Sequence, residues 1–148
     1  MNESIQVYGI KNCDTVKKAI VYLNHRDVNY QFIDFRQNPI SRQVLKQMVE
    51  SVGWELLINK RSTTYRSLSE DQKSNINYDL VLRLPKLIKR PVLVQGEIIV
   101  VGFSEQQYAK LFDGQDRLLH LITNLLLILK FFSNFLHVDS FGFFKEAY

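Results

Sequence analysis

The strongest constraint on the fold is the order in which strand-like runs and helical patterns follow one another. The strand-like runs, rich in apolar and β-branched residues, lie at 4–10, 30–35, 91–94 and 97–101. Between the first two, apolar residues at helical spacing predict a helix over about residues 13–25. The last two flank Gln95-Gly96, which predicts a hairpin, and 104–112 predicts a closing helix. The predicted order is therefore βαβ followed by ββα.

The middle of the chain predicts a helical insertion between these two units. Ser41 is suited to cap a helix that Gly53 is expected to end, and Ser69 with Gln72 resembles a capping box. A further helical pattern ends at Pro85. The predicted fold class is thus α/β: a thioredoxin-like fold, βαβ–ββα, with a mixed four-stranded sheet and a helical insertion.

Charge and hydrophobicity divide the chain near residue 113. Residues 1–112 hold 16 basic and 11 acidic side chains, whereas residues 113–148 hold 3 and 4, and 19 of those 36 residues are hydrophobic. We therefore predict a domain over 1–112 and an apolar, helical C-terminal extension over 113–148. The net charge of the first part comes without a basic run or a base-reading motif, so no nucleic-acid partner is expected.

The extension contains a strongly apolar segment, residues 118–136. A membrane span needs about 20 residues with few polar groups, and this segment contains six polar side chains, among them His120, Asn124 and Lys130. A helix packed on the domain or a dimer contact is the preferred interpretation, membrane contact and an altered reading frame are the alternatives, and the oligomeric state stays open.

The chain has one cysteine, Cys13. This count excludes an internal disulfide framework and zinc sites built on paired cysteines, so no metal site is expected. A lone thiol favours a reducing compartment, and the N-terminus shows no basic-then-apolar signal segment. The expected location is the cytoplasm.

Cys13 stands where the first strand meets the first helix, in Lys11-Asn12-Cys13-Asp14-Thr15. Unpaired backbone N–H groups at a helix N-terminus carry roughly half a positive charge, which favours a thiolate. Thiolate is the nucleophilic form, so this position favours a catalytic role, and Lys11 adds a nearby charge. The alternative is a small buried apolar residue.

Two further elements are candidates for anion binding. Pro91 opens the third strand, and in thioredoxin-like folds such a proline is cis and lies beside the catalytic cysteine; Arg90 would then bring a guanidinium to the thiolate. Residues 58–66, with Asn59, Lys60 and Arg61 near their start, form a polar connection between helices that is suited to a ligand such as a glutathione carboxylate, or is an ordinary exposed loop.

Four segments together resemble a known family. Residues 8–19, 59–68, 85–91 and 101–104 are similar to the arsenate reductase (ArsC)/Spx-like family, most of all to its YffB-type subgroup, and the resemblance extends over about residues 4–112. It implies a thioredoxin-like core, Cys13 as nucleophile, an arginine site at Arg90 and a glutathione-dependent thiol reductase reaction in the cytosol.

The chain departs from the family pattern at three positions. The family's arsenate reductases use three arginines, and Asn59 and Gly102 stand where two of them are expected, with Arg90 as the third. Spx regulators use a C-x-x-C switch, and Val16 occupies the second cysteine position. A glutathione-dependent thiol reductase is therefore the first hypothesis. A non-enzymatic, Spx-like regulator that binds RNA polymerase and an arsenate reductase with an incomplete arginine site are the alternatives.

The predicted mechanism needs one protein thiol and an external one. No second cysteine can resolve an adduct at Cys13, so glutathione is expected as co-substrate, with no tightly bound cofactor and with glutaredoxin as a further candidate partner. Cys13 and Arg90 are the predicted catalytic residues. The predicted substrate-binding residues are Lys11, Asn12, Asn59, Lys60, Arg61 and Pro91.

Overall fold

The computed structural model describes residues 4–112. Its strands are β1 (Ile5–Gly9), β2 (Tyr30–Asp34), β3 (Val92–Gln95) and β4 (Ile98–Val101). They form one sheet in the order β2-β1-β3-β4, in which β1 pairs parallel to β2 and antiparallel to β3, and β3 pairs antiparallel to β4. This mixed sheet confirms the predicted thioredoxin-like fold.

The helices confirm the crossover and the insertion. They are α1 (Asp14–His25), α2 (Arg42–Leu57), α3 (Thr63–Arg66), α4 (Glu70–Ser74) and α5 (Tyr78–Arg83), followed by a 3₁₀ turn over Pro85–Leu87. Ser41 caps α2 by accepting a hydrogen bond from the Val44 N–H, and Ser69 and Gln72 form the predicted capping box of α4. Both starts are therefore set by local sequence.

One predicted boundary is confirmed and another is shifted. Gly53 interrupts α2 as expected: it takes a non-helical conformation (φ 73°, ψ 161°), and a short second helical run follows it, with the Ile58 N–H bonded to the Trp54 carbonyl. Only glycine adopts such a φ without strain, so the first helical run ends here and the chain kinks before the second. The hairpin is confirmed, but its loop is Gly96-Glu97, because Gln95 already pairs with β4.

Both faces of the sheet are covered. Tyr8, Val92 and Val94 belong to a core cluster that also includes buried residues of α2 and α5. Val7 and Leu93 alternate with them along β1 and β3 and are fully buried outside that cluster. Since successive side chains of a strand point to opposite faces, apolar packing exists on each side.

The chain divides into two compact units after Glu105. Residues 105–112 are helical, which confirms the predicted closing helix. The predicted extension, 113–148, and its apolar segment, 118–136, lie outside the described residues. Within the described part of the chain, no helix is long and apolar enough to cross a membrane.

Candidate active site

Cys13 is the N-cap residue of α1. Its backbone is extended (φ −96°, ψ 124°), its N–H donates to the Ile10 carbonyl at 3.0 Å, and its carbonyl accepts from the Lys17 N–H at 3.0 Å. The side chain is a free, half-exposed thiol and makes no capping hydrogen bond within the described residues. The thiol thus belongs to a partly exposed residue at the positive end of a helix.

The charged residues around Cys13 lie on the surface. Lys11 and Asn12 are exposed, as is Asp14. Asp14 lies 3.7 Å from the Lys17 ammonium, one helical turn on. An exposed pair of this kind contributes little to stability, but it places a cation beside the carboxylate that would oppose a thiolate. Lys11, Asp14 and Lys17 thus add exposed charges of both signs near the N-terminus of α1.

The start of α1 lies very close to the end of β1. Gly9 is the last residue of β1, and a Cβ atom added to it would lie 2.8 Å from Cγ2 of Val16. Val16 is fully buried. Glycine at position 9 therefore permits the close approach of strand and helix that sets the position of Cys13 between them.

Asp34 is a functional candidate that the sequence analysis missed. It is the last residue of β2. With 5% exposure, it is the charged or polar residue that is buried among the described residues. Its carboxylate accepts hydrogen bonds from the Lys11 N–H at 3.1 Å and from the backbone and guanidinium of Arg36. These bonds, those from the Arg36 side chain first, hold the pKa of Asp34 well below its usual range. The Asp-Phe-Arg sequence at the end of a strand was the signal available.

Arg90 and Pro91 lead into β3. Their peptide bond is cis, as expected for this fold, and the buried Pro91 accepts a hydrogen bond from the Gly102 N–H at 2.7 Å. Arg90 is half-buried, and its Nε is buried with no hydrogen-bond partner among residues 4–112. A buried guanidinium donor without an acceptor is suited to an anionic ligand.

The Asn59 connection is tied to the segment that leads to Arg90. Ile58 and Ile88 form an isolated antiparallel bridge, and the Asn59 N–H donates to the Leu87 carbonyl at 2.7 Å. Both isoleucines are buried. This bridge places Asn59 across from the residues that immediately precede Arg90.

The side chains of this connection are only partly available. Asn59 is half-buried, and its Oδ1 accepts a hydrogen bond from the Arg61 N–H at 3.2 Å. The Lys60 ammonium lies 3.2 Å from the Glu55 carboxylate, so part of its charge is already balanced. Arg61 is exposed. The connection therefore carries two exposed cations, of which Lys60 is paired with Glu55.

Sheet topology brings most of these elements to one edge. The carboxyl ends of the parallel strands β1 and β2 lie together, and they lead to Cys13 and Asp34. Because β3 is antiparallel to β1, with Tyr8 opposite Val92, its start lies at the same edge and carries Arg90. Within the described residues, no three His, Cys, Asp or Glu side chains form a metal-binding group. The functional groups that the fold brings to this edge of the sheet are the Cys13 thiol, the Arg90 guanidinium and the buried Asp34 carboxylate.

Comparison with known proteins identifies the family of this chain. Residues 8–111 match the ArsC family. The chain belongs to the ArsC family. An uncharacterized protein from Haemophilus influenzae is 40% identical to this ArsC-family chain over 112 residues, which cover 73% of this chain and 98% of that protein. The global transcriptional regulator Spx of Lactiplantibacillus plantarum is 25% identical over 121 residues, 78% of this chain and 92% of the regulator.

Solved structures agree with this assignment. The YffB protein superposes with a TM-score of 0.68 at 39% identity, over 72% of this chain and 96% of that one. An arsenate reductase (ArsC) related protein from Brucella melitensis gives 0.60 at 39% identity, over 74% of this chain and 94% of that one. The predicted family and fold are thereby confirmed. The roles of the individual site residues stay predictions.

Proposed function

We propose that this ArsC-family protein is a glutathione-dependent thiol reductase with Cys13 as its single nucleophile. The observation that carries the proposal is the partly exposed Cys13 at the N-terminus of α1, on the edge of the sheet where Arg90 enters β3. A thiol at a helix N-terminus is favoured as thiolate, the form that attacks disulfides.

The reaction proceeds by thiol–disulfide exchange. The Cys13 thiolate attacks one sulfur of a substrate disulfide, forming a mixed disulfide and releasing the other half as a thiolate that takes a proton from water. Glutathione thiolate then attacks the Cys13 sulfur, releasing the second half of the substrate and leaving Cys13 glutathionylated. A second glutathione attacks the glutathione sulfur of that adduct, which restores the Cys13 thiolate and yields glutathione disulfide. In balance, one disulfide is reduced and two glutathiones are oxidised.

Arg90 and the Asn59 connection supply the binding groups in this proposal. The Arg90 Nε, which has no hydrogen-bond partner among the described residues, offers a donor to a carboxylate or oxyanion of the substrate. We assign Lys11, Asn59, Lys60 and Arg61 to the glutathione carboxylates, and Asn12 and Pro91 to the rest of the substrate-binding surface. The cytoplasm is the compartment that supplies reduced glutathione for this chemistry.

The decisive experiment is a glutathione turnover assay with a small disulfide panel and arsenate as substrates. Formation of glutathione disulfide is followed through glutathione reductase, for the full chain and for Cys13→Ser. We expect turnover of disulfides that Cys13→Ser abolishes, while Ser51→Ala, on the exposed surface of α2, keeps it. Added glutaredoxin tests whether a protein partner accelerates release of the Cys13 adduct.

Mass spectrometry provides the second readout. After exposure to glutathione disulfide, the native chain should gain one glutathionyl group at Cys13. An unmodified Cys13 under these conditions, together with no turnover of any disulfide, would refute the proposal. Turnover of arsenate alone would support an arsenate reductase with an incomplete arginine site instead.

A non-enzymatic regulator is the second candidate, because the chain is 25% identical to an Spx regulator over most of its length. The position of a second cysteine in a C-x-x-C switch is held here by Val16, which is fully buried. Purified RNA polymerase on a sensor surface separates the two functions. If the protein is a regulator, the native chain and Cys13→Ser should bind the polymerase equally well. The reductase proposal requires no such binding.

A further inference from the structure

The Asp34 carboxylate joins two loops that are distant in sequence. Its Oδ1 accepts from the Arg36 N–H at 2.9 Å and from Arg36 Nε at 3.1 Å, and its Oδ2 accepts from the second guanidinium nitrogen at 2.8 Å. The remaining bond, 3.1 Å from the Lys11 N–H to Oδ2, crosses to the β1–α1 loop. One buried carboxylate is thus saturated by donors from both sides.

The bond to Lys11 acts directly on the loop that carries the thiol. Lys11 is two residues before Cys13, and the turn between them closes through the Cys13 N–H and the Ile10 carbonyl. On the β2 side, the Phe35 N–H donates to the Gly9 carbonyl at 3.0 Å, which fixes Asp34 beside the end of β1. The loop is therefore held at its start by the sheet and in its middle by Asp34.

We propose that Asp34 is a positioning residue for Cys13. Its carboxylate, clamped by Arg36, fixes the loop over residues 10–13 and so holds the thiol at the N-terminus of α1. The inference rests on the proposed function of Cys13 as nucleophile, and it assigns Asp34 no contact with substrate.

The charge of Asp34 is what the clamp requires. An asparagine has nearly the same shape but only one oxygen, so it cannot accept all four bonds. With its oxygen in the place of Oδ2 it keeps the Lys11 N–H but turns its NH₂ group toward the Arg36 N–H and Nε, and in the other orientation the Lys11 N–H loses its acceptor, so the clamp is weakened in either case. The Arg36 side chain is half-exposed, so it can turn to solvent when its partner is lost, whereas the Lys11 N–H is part of the backbone and moves only with the loop.

The test compares Asp34→Asn with Val81→Ala, which trims a fully buried side chain of α5 and serves as a control for general loss of stability. The first readout is the rate of Cys13 alkylation by iodoacetamide at pH 6, where the rate reports the thiolate population. We expect Asp34→Asn to slow alkylation about 3- to 10-fold, the size of a helix N-terminus effect on a nearby charge. Val81→Ala should leave the rate unchanged.

The second readout is amide hydrogen exchange at Lys11 and Cys13, measured by NMR on fully folded protein. Asp34→Asn should accelerate exchange at both amides ahead of the rest of the sheet, and Val81→Ala should not. Arg36→Lys, which keeps the charge but lacks the planar fork, should fall between the native chain and Asp34→Asn.

The outcomes separate this inference from the proposed function. If native Cys13 reacts no faster than the thiol of free glutathione, the nucleophile proposal fails whatever Asp34 does. If native Cys13 is reactive and Asp34→Asn alkylates at the native rate, or slows no more than Val81→Ala, the positioning role is refuted. If the Lys11 amide of Asp34→Asn exchanges at the native rate, the positioning role is refuted as well.

Discussion

Adding a single methyl group at Gly9 tests the close approach of β1 and α1. In Gly9→Ala the new Cβ would lie 2.8 Å from Cγ2 and 3.4 Å from Cγ1 of Val16, and 3.5 Å from the Phe32 ring. Only the first distance is too short for carbon atoms in contact. Gly9 ends a strand and has no positive φ, so its backbone accommodates alanine.

Two opposing effects set the magnitude. Replacing glycine by alanine at a compatible backbone position stabilises a protein by about 0.4–1 kcal/mol through the unfolded chain. Overpacking a closely packed site costs about 1–3 kcal/mol. Val16 is fully buried and β-branched in a helix, so it has essentially one rotamer and cannot turn away. The free energy of unfolding should therefore fall by about 1–2 kcal/mol.

Urea unfolding measures this change through the fluorescence of Trp54, the single tryptophan, whose ring lies 5.2 Å from that of Tyr78. Val16→Ala alone should also destabilise, by about 0.8 kcal/mol per methyl group together with a cavity cost. In the double variant the new methyl group at position 9 enters the space that Val16 vacates. The double-mutant cycle should therefore show a favourable coupling of at least about 1 kcal/mol.

Gly102→Ala is the matched control for this cycle. Gly102 has φ +83°, and no atom of the described part of the chain lies within 4 Å of an added Cβ, so its substitution costs about 1–2 kcal/mol through the backbone alone. That cost should add to the cost of Val16→Ala without coupling. The reasoning is refuted if Gly9→Ala is as stable as the native chain, or if its effect is simply additive with Val16→Ala.

Three further predictions concern a buried charge, a helix cap and the candidate site. The pKa of Asp34 is lowered in the fold by its bonds to Arg36, so ionised Asp34 stabilises the native state at neutral pH. This stabilisation is lost as the pH falls below about 4, so the urea midpoints of the native chain and of Asp34→Asn should differ at pH 7 and converge in acid. Ser69→Ala removes the capping box of α4 and should lower the free energy of unfolding by about 1 kcal/mol, measured by urea titration. Arg90→Lys should reduce disulfide turnover about 10-fold, because an ammonium lacks the guanidinium fork, whereas the exposed Arg83→Lys should keep native turnover.

Local sequence was sufficient where neighbouring residues alone decide the structure. The caps at Ser41 and Ser69 were predicted because a hydroxyl there bonds a backbone N–H only three residues away. The hairpin was predicted from Gly96, although its loop lies one residue later than expected, since the register depends on which residue of β3 pairs last. Gly53 was predicted to end the helix that Ser41 caps, and it does interrupt that helix because its φ is positive; the short helical run that follows to Leu57 was not predicted.

The candidate site was predicted in its parts. Cys13 at a helix start and the proline that opens β3 are visible in the sequence, because each follows from the elements beside it. The role of Asp34 was not visible, since its bond to Lys11 joins residues 23 positions apart. The same holds for Asn59, which reaches its place through the pairing of Ile58 with Ile88.

The sequence by itself determined the order of strands and helices, the solitary thiol and its place at the start of α1. These depend on periodicity, on capping and on a residue count, all of which act over a few neighbouring residues. Only the tertiary structure decided that β1 lies between β2 and β3 and that the thiol loop is held by Asp34. It also decided that glycine is needed at position 9. These features arise where distant segments meet at one sheet edge, and distances between such segments are set by packing of the whole domain rather than by any local pattern.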